Sequence, residues 1–246
     1  MRIHRVYCKS VSGPNDIFKL DESQSHHLIK SLRIKINDTV EVFDGEGNSA
    51  KCIVEVLKNK KCMLKRIEDI SSIEIEKETI SAIVPIIKKN NFIFMLQKMS
   101  EIGVNHFLIY KPENIDQSVA KKNIHKFTEK SEEIIINVCK QCGNNFLPSI
   151  KIFEDLKTAI NDLSKIHQIY AFDTSASIYF NQNEIKDNSS IVIITGPESG
   201  FSEGELELMS KEDIIIRNLG KNILRTETAP IAVSAIIKNH YGKFEI

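Results

Sequence analysis

Two nearly continuous apolar runs, Ile80 to Ile87 and Ser190 to Thr195, constrain this chain more than any other feature. A strand apolar at almost every position must be covered on both faces, a condition met in parallel sheets flanked by helices. The segments around the two runs alternate in period. A helical stretch carries Phe92, Leu96, Met99 and Ile102 on one face and meets Gly103, a residue suited to the left-handed turn after a helix. Val104 to Tyr110 reads as strand, Ile124 to Cys142 as a long helix closed by Gly143, and His167 to Phe172 as strand again. Ser202 to Met209 is a helix opened by a capping box, Ser202 with Glu205 three residues on. Asp213 to Leu219 is strand, and Thr226 to His240 is the last helix. The expected fold class is therefore α/β, with a mostly parallel sheet and helices on both faces.

Residues 1 to about 70 have a different texture, short strands separated by turn signals. Thr39 to Phe43 alternates, Asp44-Gly45-Glu46-Gly47-Asn48 is a dense turn signal, and Lys51 to Val56 and Lys61 to Lys65 follow as strands. One short helix fits near His26 to Leu32, and a small β-barrel is the architecture such a series suggests. Glu68 to Lys77, rich in both charges, reads as a linker, so two domains are expected, 1–72 and 73–246. The formal charge is zero, with 33 basic and 33 acidic residues, which argues against a surface coated with nucleic acid but permits a local basic face. The first domain holds an excess of Lys and Arg on the order of three. No apolar run approaches the roughly 20 residues that span a bilayer. The start Met1-Arg2-Ile3-His4-Arg5 leads into no hydrophobic signal core, so a cytoplasmic protein with its five cysteines reduced is expected.

Two loops carry the chemical signal. Thr195-Gly196-Pro197-Glu198-Ser199-Gly200-Phe201-Ser202 leaves the carboxyl end of a buried strand and enters a helix, the place where open α/β sheets bind ligands. The alternative is a plain strand-to-helix turn. Spacing excludes a P-loop, which needs Gly-Lys before Ser or Thr, and the dinucleotide fingerprint, since only Gly196 and Gly200 are present. It also excludes a hydrolase elbow, because Ser199 directly precedes Gly200 rather than standing between two glycines. The second loop, Leu219-Gly220-Lys221-Asn222-Ile223-Leu224-Arg225-Thr226-Glu227-Thr228-Ala229, also links a strand to a helix. Ile223 and Leu224 are apolar where a loop is ordinarily polar, and such residues can wall a pocket for a flat ring.

With both loops in view, the chain resembles the SPOUT class of methyltransferases, and within it the RsmE family, which methylates N3 of one uridine in 16S (small-subunit) ribosomal RNA. The resemblance covers essentially the whole chain. His26-His27-Leu28-Ile29-Lys30-Ser31-Leu32-Arg33, Asn37-Asp38-Thr39-Val40 and Phe43-Asp44-Gly45-Glu46-Gly47 are similar to the family's PUA-like RNA-binding domain. Gln97-Lys98-Met99-Ser100-Glu101-Ile102-Gly103-Val104 is similar to the helix that opens its catalytic domain, and the two loops to its cofactor loops. The resemblance implies a trefoil knot in the second domain, a homodimer, S-adenosyl-L-methionine as cofactor and no metal. It places cofactor binding on Thr195, Gly196, Pro197, Glu198, Gly200, Leu219, Gly220, Ile223, Leu224, Thr228 and Ala229. The chain departs from the family at Ser199, where a second glycine is usual, and at Lys140 and Asn144, where Glu and Arg are usual. It departs again near Asn114, where an arginine is common.

Methyl transfer to an imide nitrogen needs the acceptor held in line with the donor and its anion stabilised. Arg225 is the candidate catalytic residue, since its planar fork can stabilise charge on a uracil or fix a phosphate; its structural alternative is an ion pair with Glu227. The general base is not assigned. Arg2, Arg5, His27, Arg33 and Lys35 are candidate RNA contacts, with small-subunit RNA or the small subunit as partner. Cys139 and Cys142 form a Cys-x-x-Cys pair with no second pair for a zinc site, so two ordinary helix cysteines are expected. Two other functions stay open: a SPOUT methyltransferase acting on another RNA, and a catalytically impaired RNA-binding protein in ribosome assembly.

Overall fold

The computed structural model describes residues 3–58, 61–120, 124–163, 168–186 and 189–242, with the backbone alone at 118, 120 and 124–129. The chain divides into two compact units, Met1–Ile75 with Ile136–Leu147, and Glu76–Ile135 with Pro148–Ile246. No helix among the described residues is long and apolar enough to cross a membrane.

The first unit contains β1 (His4–Tyr7), β2 (Ile17–Lys19), α1 (Glu22–His26), β3 (Thr39–Phe43), β4 (Asn48–Lys58), β5 (Lys61–Arg66) and β6 (Ser71–Ser72). The strands pair in the order β1-β3-β4-β5-β2, with β6 on β4. β1 and β3 run parallel and the other pairs antiparallel. The expected barrel is thus a sheet whose end strands β1 and β2 are not paired with each other among the described residues. The 3-10 turn Lys9–Ser12 packs against β2, β3 and β4 instead. Period-two burial builds the core: Val40 and Val42, Cys52 and Val54, and Cys62 and Leu64 all point inward, fully buried, with Val6 and Leu28. The expected helix near His26 starts earlier, because Asp21 caps it by accepting from the Gln24 N–H at 2.7 Å. It continues as a wider π turn over His27–Ser31.

The turn Asp44–Asn48 closes on its own carboxylate. Asp44 accepts from the Glu46 and Asn48 N–H groups at 2.7 and 3.0 Å, from Asn48 Nδ2 at 2.6 Å and from Ser12 Oγ at 2.9 Å. Ile136–Leu147 docks on this unit. Arg5 donates to the Cys139 carbonyl at 2.7 Å and to Asn145 Oδ1, lies 3.3 Å from Glu41 and stacks 4.5 Å over the Phe43 ring. With 9% of its side chain exposed, Arg5 is an interior bracket and drops out of the candidate RNA contacts.

The second unit contains β7 (Ile80–Pro85), α2 (Lys89–Ile102), β8 (His106–Tyr110), α3 (Gln117–Ala120), α4 (Ile124–Cys142, whose last turns belong to the first unit), β9 (Ser149–Phe153) and α5 (Leu156–Asn161). β10 (Gln168–Phe172), β11 (Ile191–Thr195), α6 (Glu203–Lys211), β12 (Ile215–Arg217) and α7 (Thr228–His240) complete it. All strands are parallel, in the order β12-β10-β11-β7-β8-β9. β7 and β11 are buried at every position, as their composition predicts. Ile83, Val192 and Ile194 face α5 and α6 through Leu156, Ile160, Phe201 and Met209, while α2 and α7 pack on each other and α7 lies against β7 and β11. Gly103 and Gly143 end α2 and α4 at φ +93° and +86°. The expected strand at His167 begins at Gln168, with His167 outside the described residues, and the strand over Asp213–Leu219 shortens to Ile215–Arg217.

Two outcomes test the turn. At Gly47, φ is +102° and a Cβ would meet Phe146 Cζ at 2.6 Å and the Ile73 carbonyl at 2.7 Å. Gly47→Ala is expected to cost about 2–4 kcal/mol in urea unfolding, from left-handed strain plus overpacking. Burial pushes the Asp44 carboxyl up, but the hydrogen bonds from Asn48, Glu46 and Ser12 outweigh it and hold the pKa below its usual value. A depressed folded pKa stabilises above the unfolded value and is lost as pH falls through the folded one. Asp44→Asn should therefore flatten that acid limb of stability below the ordinary aspartate range.

Candidate active site

The strand order places the site. From β7 the chain proceeds to β8 and β9 on one side and then to β10, β11 and β12 on the other, so the order reverses between β7 and β11. Loops leaving carboxyl ends on the two sides of such a switch diverge and leave a crevice. Here the crevice is a cavity of about 570 Å³. Lys88 and Asn91 come after β7, Phe172 to Thr174 from the end of β10, Thr195 to Glu198 and Gly200 from the end of β11, and Asn218, Leu219, Asn222 to Glu227 and Ala229 from beyond β12.

Thr195, the last residue of β11, is 2% exposed, and its hydroxyl lies buried with no hydrogen-bond partner. Its carbonyl accepts from Tyr110 Oη at 3.2 Å. An unpaired buried hydroxyl costs about 1–3 kcal/mol, and this one belongs to a residue of the cavity wall. Gly196 has no room for a side chain, because its Cβ would stand 3.2 Å from the Phe201 ring. Gly200 turns at φ +76° with open space around it.

The first loop is held by a buried carboxylate. Glu205, 3% exposed, accepts from the Ser202 and Glu113 N–H groups at 2.9 and 3.3 Å, and burial raises its pKa. Ser202 in turn donates to Glu113 at 2.6 Å. Two departures from the family pattern meet here: Ser199 Oγ donates to the Asn114 carbonyl at 2.8 Å, and Asn114 Nδ2 reaches the Gly200 carbonyl at 3.5 Å. The second loop is held by Asn218, whose side chain donates to the Thr174 and Ala176 carbonyls at 3.2 and 3.3 Å and accepts from the Gly220 N–H at 3.2 Å. Behind it, Arg217 and Glu184 pair at 2.6 Å. The Arg217 guanidinium lowers the Glu184 pKa.

Of the residues expected to bind a cofactor, Thr195, Gly196, Pro197, Glu198, Gly200, Leu219, Ile223, Leu224 and Ala229 line this one cavity. Gly220 and Thr228 lie in the same loop off its wall. Arg225 lines it too. Its side chain is 81% exposed and stands 4.0 Å from Glu227, so the ion pair leaves most of its donors free. Lys88, Asn91, Phe172, Asp173, Thr174, Asn218 and Asn222 were not anticipated as wall residues. The rule that parallel sheets bind ligands beyond the carboxyl ends of their strands points to Phe172–Thr174 and Lys88 as well as to the glycine loops.

The candidate RNA contacts lie in the first unit. Arg33, at φ +51°, and Lys35 are exposed, His27 is half-buried, and Arg2 lies outside the described residues. Burial lowers the His27 pKa, helped by Lys140, His4 and His26 nearby. Lys140 is 9% exposed and donates to Gln24 Oε1 and Asn137 Oδ1, both at 3.3 Å. Cys139 and Cys142 share one turn of α4, and among the described residues no three His, Cys, Asp or Glu side chains converge as a metal site would require.

Residues 74–238 match an RNA methyltransferase domain, and residues 20–65 match an RNA methyltransferase PUA domain. The ribosomal RNA small subunit methyltransferase E of Buchnera aphidicola subsp. Schizaphis graminum is 31% identical over 98% of both chains. This chain belongs to the ribosomal RNA small subunit methyltransferase E family. A Bacillus subtilis member is 27% identical over 89% of each chain. The structure of the Neisseria gonorrhoeae methyltransferase E bound to S-adenosyl methionine aligns with a TM-score of 0.85 at 25% identity, covering 97% of this chain and 98% of that one. A Legionella pneumophila methyltransferase structure, at 24% identity and a TM-score of 0.86, shares the fold. In this methyltransferase E family member, every residue lining the cavity falls within the matched methyltransferase domain.

Thr195→Val replaces the orphan hydroxyl by a methyl of the same shape. The ligand-free protein is expected to gain about 1–2 kcal/mol in urea unfolding. A loss of that size would show that the hydroxyl is satisfied.

Proposed function

We propose that this protein transfers a methyl group from S-adenosyl-L-methionine to N3 of a specific uridine in 16S ribosomal RNA. The observation that carries the proposal is the cavity at the strand-order reversal, with the orphan Thr195 hydroxyl on its wall, in a chain of this family. The residues present suit the cofactor. Leu219, Ile223 and Leu224 offer apolar surface to the adenine ring, and Thr195 with the glycine backbone of both loops offers a polar rim. Asp173, Glu198 and Glu227 supply negative charge opposite a sulfonium and an ammonium. Gly220 and Thr228 shape the second loop around them. When bound, S-adenosylmethionine supplies an electrophilic methyl, accepted by the N3 electron pair as the carbon–sulfur bond breaks and its electrons return to sulfur.

The protein's own groups position the acceptor. Arg225 binds a phosphate of the target nucleotide or charge on its ring through its free donors. Residues 1–72 form the RNA-positioning domain, with Arg2, His27, Arg33 and Lys35 as contacts, and 73–246 the transferring domain. The reaction belongs in the cytoplasm, on small-subunit RNA or the small subunit. A trefoil knot formed by the loops after β11 and β12 is part of this proposal, as is a homodimer; Phe94 and Ile236, 47% and 38% exposed on α2 and α7, are apolar surface a second copy would cover.

Labelled methyl from S-adenosylmethionine should appear in 3-methyluridine when small subunits from cells lacking this protein are the substrate. Label in another nucleoside, or none, overturns the assignment. Arg225→Ala is expected to lower kcat/KM by about 10- to 100-fold, roughly 1.4–2.7 kcal/mol, with cofactor affinity in calorimetry little changed. Arg225→Lys should recover only part of this, since an ammonium lacks the planar fork.

A further inference from the structure

A second cavity of about 520 Å³ adjoins the first. Its floor is apolar, formed by Ile86 and Ile87 after β7, Ile115 and Val119 after β8, and Pro197. Asn114, Asp116 and Ser199 form its polar rim. Lys88, Pro197 and Glu198 line both cavities and so form the wall between them.

Lys88 is the cation of that wall. Its Nζ lies 3.2 Å from Glu198 and 3.5 Å from Asp116, and the Glu198 and then the Asp116 carboxylates raise its pKa. Its side chain is 53% exposed, so neither pair removes it from solvent. The position adds nothing to the capping of α2. Lys88 is the N-cap of α2, makes no capping bond, and the first turn of α2 holds no acid. A positive charge at the positive end of a 14-residue helix is unfavourable, and the usual Ser, Thr, Asp or Asn cap is absent. Lysine and the N-terminal end of α2 thus present the same sign of field at the junction of the two cavities. Asp173, Arg225 and Glu227 are the other charged groups around the first cavity.

We infer that the second cavity takes the target pyrimidine ring and that Lys88 is the cation that stabilises its N3 anion beside the methyl donor. This rests on the function proposed above. The chemistry asks for such a pair of sites: a flat ring with an apolar face and polar edges, next to but not inside the donor's cavity. At the exposed mouth the N3–H bond breaks, its electron pair stays on the ring, and the proton passes to water. The negative charge spreads to the two ring carbonyl oxygens, and the Lys88 ammonium turns from Glu198 and Asp116 to meet it. The pair on N3 is then free to accept the methyl.

The test uses the full-length protein, small subunits lacking the modification, and three variants, Lys88→Gln, Lys88→Arg and Ser199→Trp. Lys88→Gln is expected to stay close to the parent in stability, since both its ion pairs are exposed, to bind S-adenosylmethionine within about threefold of it, and to lose about 10²-fold in single-turnover rate, as when an oxyanion donor is removed. Its rate should keep rising with pH beyond the point where the parent levels off, because the anion must now form unaided; Lys88→Arg should restore both rate and profile. Ser199→Trp, at the exposed rim, should raise KM for the subunit by a larger factor than it changes cofactor affinity. The inference is overturned if Lys88→Gln methylates like the parent at every pH, or if its whole defect is weaker cofactor binding. Unchanged KM in Ser199→Trp overturns the placement of the ring. If the parent puts no label into 3-methyluridine, the proposed function fails first, and that outcome is read before any variant is compared.

Discussion

Burial of β11 between β10 and β7 is the constraint on which the second unit depends. A strand buried at all five positions, four of them apolar, forces neighbours on both edges and helices on both faces. Parallel pairing then sends every connection across the sheet and brings the carboxyl ends of β7, β10, β11 and β12 to one side. The polar backbone of those loops cannot be buried in the core, so it gathers at that edge and walls the cavity. Glycine is needed there where φ is positive at Gly200 and Gly220 or where the chain meets Phe201 at Gly196.

Two features of that edge stand out in the ligand-free protein. Thr195 holds a buried hydroxyl without a partner, at a cost of about 1–3 kcal/mol. Lys88 stands at a helix terminus of its own charge sign, offset by Glu198 and Asp116. Both lie on the walls of the proposed reaction site, and both are matched by what that reaction brings: a hydrogen-bonding group for the threonine and a developing anion for the lysine.

In the first unit, charge alone misleads. Arg5 and Arg33 look alike in sequence, two arginines in a slightly basic segment. Arg5 is consumed by Cys139, Asn145, Glu41 and Phe43, whereas Arg33 stays in solvent. Two of the Arg5 partners, Cys139 and Asn145, arrive from Ile136–Leu147, more than a hundred residues along the chain. Nothing local to Arg5 announces them. The family departures behave similarly: Asn114, after β8, and Ser199, after β11, are far apart in sequence and meet in the fold.

Most of the second unit was legible from periodicity, because strands buried on both faces and capped helices leave strong local signatures. The parallel sheet, the caps at Ser202 and Gly103, and the two ligand loops all follow from short stretches of residues. What local pattern did not carry was the half-buried edge. β9 and β1 expose alternate or adjacent positions and read as ordinary polar chain, and α5 is too short for a clear period. By itself the sequence determined which strands are interior and which loops are unusual, since burial and turn conformation are demands on individual residues. Only the tertiary structure decided the strand order, the neighbours of Arg5 and the wall shared by Lys88 and Glu198, since each depends on residues brought together by the fold.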